Sequence, residues 1–94
     1  MNYNDELNLL RNEIEETDKE IAKLFEKRML ICKDIALLKK QNGVFVEDLS
    51  REKQLFEKNV FYIKNDGLKK YYSDFFKNIV TLSKLYQTTI TDEK

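Results

Sequence analysis

A seven-residue apolar repeat runs from about residue 5 to residue 40 of a chain that contains no proline, and it constrains the fold more than any other feature. One row of the repeat holds Leu7, Ile14, Ile21, Arg28 and Ile35, and the other holds Leu10, Thr17, Leu24, Ile31 and Leu38. Rows so spaced share one face of an α-helix and form an a/d seam about five heptads long. An unbroken helix of that length spans about 50 Å at 1.5 Å per residue. That is longer than a domain of 94 residues is wide, so the helix must lie against something equally long. A chain this short also has a limited core, and a partner subunit would help it.

The two glycines, Gly43 and Gly67, divide the chain into three stretches of helical periodicity. Gln41-Asn42-Gly43 stops the first, Val44-Phe45-Val46 makes a short extended link, and Asp48 or Ser50 caps the second. The expectation is a single all-α domain over residues 1–94 with helices at about 5–40, 49–64 and 68–90. Leu49, Leu55, Phe56, Val60 and Ile63 give the second helix one apolar face, and Asn65-Asp66-Gly67 ends it. Tyr72, Phe75, Phe76, Ile79, Leu82, Tyr86 and Ile90 form the apolar stripe of the third, with Ser83 and Gln87 at its edge.

Composition narrows the chemistry. Seventeen basic and seventeen acidic side chains cancel, which leaves no electrostatic footprint for nucleic acid or an anionic membrane. There is no His, so His-based acid–base chemistry and Cys/His zinc sites are excluded, and the single Cys32 reads as a small packing residue. No metal and no cofactor are expected. The N-terminus lacks a basic region followed by an apolar run, and no stretch approaches the roughly 20 apolar residues that span a bilayer. A soluble, cytoplasmic protein is expected.

Against fourteen lysines stand three arginines, Arg11, Arg28 and Arg51, on or beside the apolar faces. The planar guanidinium fork grips carboxylates and phosphates, which points to a local anion site. Arg28 sits at an a position, where an unpaired buried charge would cost several kcal/mol. It is either a coiled-coil register device or the partner of an anion. Lys39, eleven residues on, projects from nearly the same face about 16 Å further along the axis. Arg11 lies about 42 Å from Lys39 on a straight helix, so one chain cannot bring both to a small ligand. Two long helices paired antiparallel about a two-fold axis near residues 20–22 would place Arg11 of one beside the stretch between Arg28 and Lys39 of the other. Otherwise Arg11 is a surface ion-pair residue with Glu15. Asp48, Arg51 and Glu52 gather at a helix start, where capping and first-turn acids explain them equally well.

Taken in order, Arg11, Arg28, Lys39, Asp48, Arg51-Glu52, Ser83 and Gln87 resemble the active-site set of the all-helical AroQ class (type II) of chorismate mutases. The resemblance runs from Leu7 to about Ile90 and includes the opening Leu-x-x-Leu-Arg-x-x-Ile-x-x-x-Asp run, Leu7 to Asp18. It departs in the loop, which reads Phe45-Val46-Glu47 where relatives carry Pro or Arg, and at Ser50 in place of Pro or Asp. The resemblance implies an intertwined antiparallel homodimer of three-helix protomers, with Arg11 contributed in trans. It implies rearrangement of chorismate to prephenate in phenylalanine and tyrosine biosynthesis, with no cofactor. Arg28 and Arg11 of the second chain would bind the substrate carboxylates, helped by Ser83, with Arg51 a further candidate. Lys39 and Gln87 would donate to the ether oxygen, and Glu52 with the Asp48 region would hold the ring hydroxyl. With nothing after Lys94, a monofunctional enzyme is expected; whether a pathway enzyme such as DAHP synthase binds it is unknown. Isochorismate-pyruvate lyase, of the same fold, and a non-catalytic helical dimerisation module are the rival readings.

Overall fold

The apolar repeat forms one helix, α1, over Tyr3–Gln41, followed by α2 over Leu49–Tyr62 and α3 over Lys69–Thr91, with a single 3₁₀ turn at Asp66–Leu68. These elements come from a computed structural model that describes residues 2–93, and no strand occurs among the described residues. The chain divides into two units, one ending at Ile31 and one beginning at Cys32. None of the described helices is long and apolar enough to cross a membrane.

The first unit is helix alone. Asn2 caps it by accepting from the Asp5 amide at 2.9 Å, and Asp5 and Glu6 place negative charge at the positive end of the helix dipole. Its seam finds no cover within the chain. Leu10, Ile14, Ile21, Leu24 and Ile31, with Ile35 and Leu38 beyond them, are 41–63% exposed. The concavities along this helix are shallow relief between its own side chains, such as the one lined by Leu10, Glu13, Ile14, Thr17 and Asp18. So much regular apolar surface is unusual on a solvated helix.

The second unit holds the core. The last turns of α1 bury Cys32 and Ala36, which lie off the a/d seam, and Val46 folds in from the loop at 3% exposure. The helix ends with two reciprocal bonds, Val44 N–H to Lys39 C=O at 2.9 Å and Gly43 N–H to Lys40 C=O at 3.3 Å. Gly43 takes the left-handed φ of 65° that this closure requires. Val44 and Phe45 stay exposed, so only Val46 of the expected apolar link turns inward. Asp48, not Ser50, caps α2, its carboxylate accepting from the Arg51 amide at 3.0 Å.

Aromatic packing closes α2 on α3. Phe56 meets Phe76 edge to face at 5.3 Å, and Tyr72 stacks on Phe76 at 6.1 Å. Such pairs are worth about 0.5–1.5 kcal/mol each beyond their buried area. The Tyr72 hydroxyl donates to Asn59 Oδ1 at 3.2 Å, and Asn59 in turn donates to the Leu55 carbonyl at 2.8 Å. Between the helices Asn65 Oδ1 accepts from the Gly67 amide. A Cβ at Gly67 would stand 3.3 Å from that same oxygen, so glycine there leaves room for the turn-forming side chain.

The buried line of α3 differs from the expected stripe. It runs Phe76, Val80, Ser83 and Gln87, whereas Phe75 and Leu82 are about half exposed. Ser83 and Gln87 therefore lie in the middle of the buried face and not at its edge. Hydropathy ranks large apolar residues above them, but the 4-3-4 spacing of these four positions follows a single helix face.

Candidate active site

Two polar side chains buried on one line of α3 need partners, because an unsatisfied buried donor costs about 1–3 kcal/mol. Gln87, 8% exposed, meets this by donating from Nε2 to the Cys32 carbonyl at 2.9 Å. A carbonyl can only accept, so the bond fixes which way the amide faces and leaves the second N–H and Oε1 for other partners. Ser83, 5% exposed, donates back to the Ile79 carbonyl at 2.7 Å.

Lys39 lies seven residues after Cys32, nearly two full turns, and so projects from the same side of α1 about 10 Å along the axis. Its ammonium donates to the Val46 carbonyl at 2.8 Å. On the other side of that residue, the Val46 amide donates to both carboxylate oxygens of Glu93 at 3.2 Å. Lys40 reaches the end of α3, bonding the Ile90 carbonyl at 3.5 Å and pairing with Asp92 at 3.4 Å. The loop that follows α1 is thus held at Val46 from two directions, and Lys39 is one of the hands. An ammonium has three N–H groups, so two remain for a ligand.

Glu52 stands in the first turn of α2 with its side chain 20% exposed and pairs with Lys84 of α3 at 3.3 Å. The same ammonium meets Glu47 of the loop at 3.2 Å. Lys84 is held above its ordinary value of 10.5, first by the hydrogen bond to Glu47 and then by Glu52, with burial pulling the other way. A lysine raised in the folded state contributes stability that is fully present below pH 10.5 and lost as pH rises through the folded value. The Tm gap between this chain and Lys84→Met should accordingly hold steady through neutral pH and close only in strong alkali. Melts that already coincide at neutral pH would show that the bridge adds nothing to stability.

The second unit therefore brings Lys39, Glu52, Ser83 and Gln87 onto elements tied together by these bonds. Asp48 and Arg51 are exposed at the start of α2, with Asp48 spending one oxygen on its cap. Arg11, exposed, and Arg28, half-buried, stand on the first unit. Lys84 was not among the residues singled out in the sequence, and Glu47 entered only as part of the loop Phe45-Val46-Glu47. The only signal for Lys84 was its place directly after Ser83 and one turn before Gln87.

The chain matches the family model described as chorismate mutase type II over residues 10–88. It is 35% identical over 81 residues to a bifunctional chorismate mutase/prephenate dehydratase of Buchnera aphidicola subsp. Acyrthosiphon pisum, an alignment covering 85% of this chain and 21% of that protein. It is 37% identical over 49 residues to a chorismate mutase of Methanocaldococcus jannaschii, covering 52% of this chain and 50% of that one. The chain thus spans half or less of the length of each of these relatives. No solved structure matches it significantly. The matched span takes in every residue of the candidate site, from Arg11 to Gln87, and by that match the chain belongs to the chorismate mutase type II family.

Proposed function

We propose that this chain is a chorismate mutase, an isomerase that rearranges chorismate to prephenate for phenylalanine and tyrosine biosynthesis. The observation that carries the reading is the pair of fixed donors, Lys39 and Gln87, on elements that a buried hydrogen bond ties together within a family-matched span. The rearrangement is a concerted pericyclic step. It needs no nucleophile and no proton transfer, so a site made of cations, an amide and a hydroxyl is chemically sufficient. What it needs is the compact substrate conformer and donors aimed at the ether oxygen, where negative charge grows in the transition state.

Lys39 and Gln87 supply those donors, each already oriented by a backbone carbonyl and each with an N–H left to give. Preorganisation of this kind favours the transition state over the substrate, since the charge it meets develops only on the way. Arg28 binds a carboxylate, Ser83 and Arg51 assist, and Glu52 with the Asp48 region receives the ring hydroxyl.

The second carboxylate is met by Arg11 of a second copy in an antiparallel homodimer. Support comes from the seam of α1, whose apolar residues from Leu10 to Leu38 stay solvated in the single chain. A matching copy would remove that surface from water at about 25 cal/mol per Å².

The test is to add chorismate to the purified chain and follow its loss with the appearance of prephenate, with isochorismate in a parallel reaction. Prephenate formation is the expected result. Salicylate and pyruvate from isochorismate, with chorismate untouched, would instead mark a lyase, and silence on both would leave a helical binding module.

A further inference from the structure

One ammonium on α3 serves two carboxylates from different segments. Lys84 reaches Glu47 in the loop at 3.2 Å and both oxygens of Glu52 at 3.3 and 3.4 Å. Its side chain is 35% exposed and that of Glu52 is 20% exposed, so the bridge is partly withdrawn from water, where charges are screened least. It also borders the buried polar line directly, because Lys84 follows Ser83 and precedes Gln87 by one helical turn.

We propose that Lys84 is a positioning residue, fixing the Glu52 carboxylate in the orientation that receives the substrate's ring hydroxyl. The proposal rests on the chorismate reading given above and extends it to a residue that makes no contact with the reacting atoms. Two physical points carry it. Glu52 already gains from the positive end of α2, so its charge has a source of stabilisation besides Lys84. Its long side chain does need something to select one rotamer, and a two-point bond to a partly buried ammonium does so. The second point is sign. Glu47 and Glu52 converge on one nitrogen, and without Lys84 they would put two uncompensated negative charges at the rim of a site for a dianion.

The bland alternative is a bridge that only ties the loop and α2 to α3. It predicts a change in Tm with little specific effect on substrate affinity. The test uses the full chain with Lys84→Met, Lys84→Arg, Glu52→Gln and the Lys84→Met/Glu52→Gln double variant, each measured for kcat, KM and Tm with chorismate. Lys84→Met is expected to raise KM about tenfold with kcat within about twofold, the mark of lost binding that is equal in ground and transition states. Lys84→Arg should restore most of the KM. In the Glu52→Gln background the added effect of Lys84→Met should shrink to less than about twofold, since residues acting through one another are not additive.

An equal KM factor in both backgrounds would overturn the proposal, as would an unchanged KM in Lys84→Met beside an active wild-type chain. A wild-type chain inactive on chorismate would overturn the functional reading first, and this proposal with it.

Discussion

Lys39→Ala is expected to lower kcat/KM for chorismate by about 100-fold or more, the size of effect seen when one preorganised donor is removed from a developing oxyanion, about 2.7 kcal/mol. The geometry sharpens this expectation. Lys39 is not a solvated lysine at a helix end, because its ammonium is bonded to the Val46 carbonyl at 2.8 Å while the Val46 amide is held by Glu93. Removing it takes away a donor and also leaves a partly buried carbonyl without its partner, a stability cost of about 1–3 kcal/mol. Rate and melting should therefore be measured together, well below the Tm of the variant. A loss of less than tenfold in a folded variant would remove Lys39 from the ether contact. A loss confined to Tm would make it a loop fastener only.

The second large effect is expected for Gln87→Glu, and it is a change in pH dependence more than in maximal rate. Gln87 donates to the Cys32 carbonyl from a site 8% exposed. A carboxylate there would face a carbonyl oxygen with no hydrogen between them, so the group must take up a proton to fit. Burial and that contact both raise its pKa above the ordinary glutamate value of about 4.3. The protonated form donates and works, while the ionised form repels, so activity should be low at neutral pH and climb as pH falls. Stability follows the same sign. A carboxyl raised in the folded state favours folding fully below its unfolded value, and that contribution is lost as pH rises through the folded one. The Tm of the variant should accordingly approach that of the parent on acidification. The parent, with an amide that cannot ionise, should show a flat profile across neutral pH. Matching profiles for the two would exclude Gln87 from the reaction.

The three helices were legible because their signals are local. The seven-residue rows, the left-handed Gly43 and the Asp48 cap each act within a few residues, and each lies where the pattern put it. The candidate site was legible only as an ordered set of residue types, and the contacts among those residues were not. Ser83 and Gln87 looked peripheral because hydropathy scores reward Phe75 and Leu82, yet burial follows the helix face and not the residue's size. Lys84 escaped notice because its partners are 37 and 32 residues away, a distance over which no periodic pattern carries information. The Val46 carbonyl could not be foreseen either. Every residue offers such an acceptor, and only the path of the loop selects one. Arg28 lies in the seam row and Arg11 beside it, on a helix whose residues Leu10, Ile14, Ile21, Leu24 and Ile31 stay exposed.

The double grip on Val46 makes the connection between α1 and α2 a ruler. Lys39 and Glu93 hold one residue by its carbonyl and its amide, which belong to the two peptide groups on either side of the Val46 Cα. One residue more or less before Val46 would move the carbonyl by up to about 3.5 Å, farther than the hydrogen bond is long. The ammonium would then follow the displaced carbonyl or lose it. Surface loops usually tolerate changes of length better than changes of core residue. Here the loop length sets where the Lys39 ammonium is held, so a change of length in this stretch moves a charged group as well as the surface.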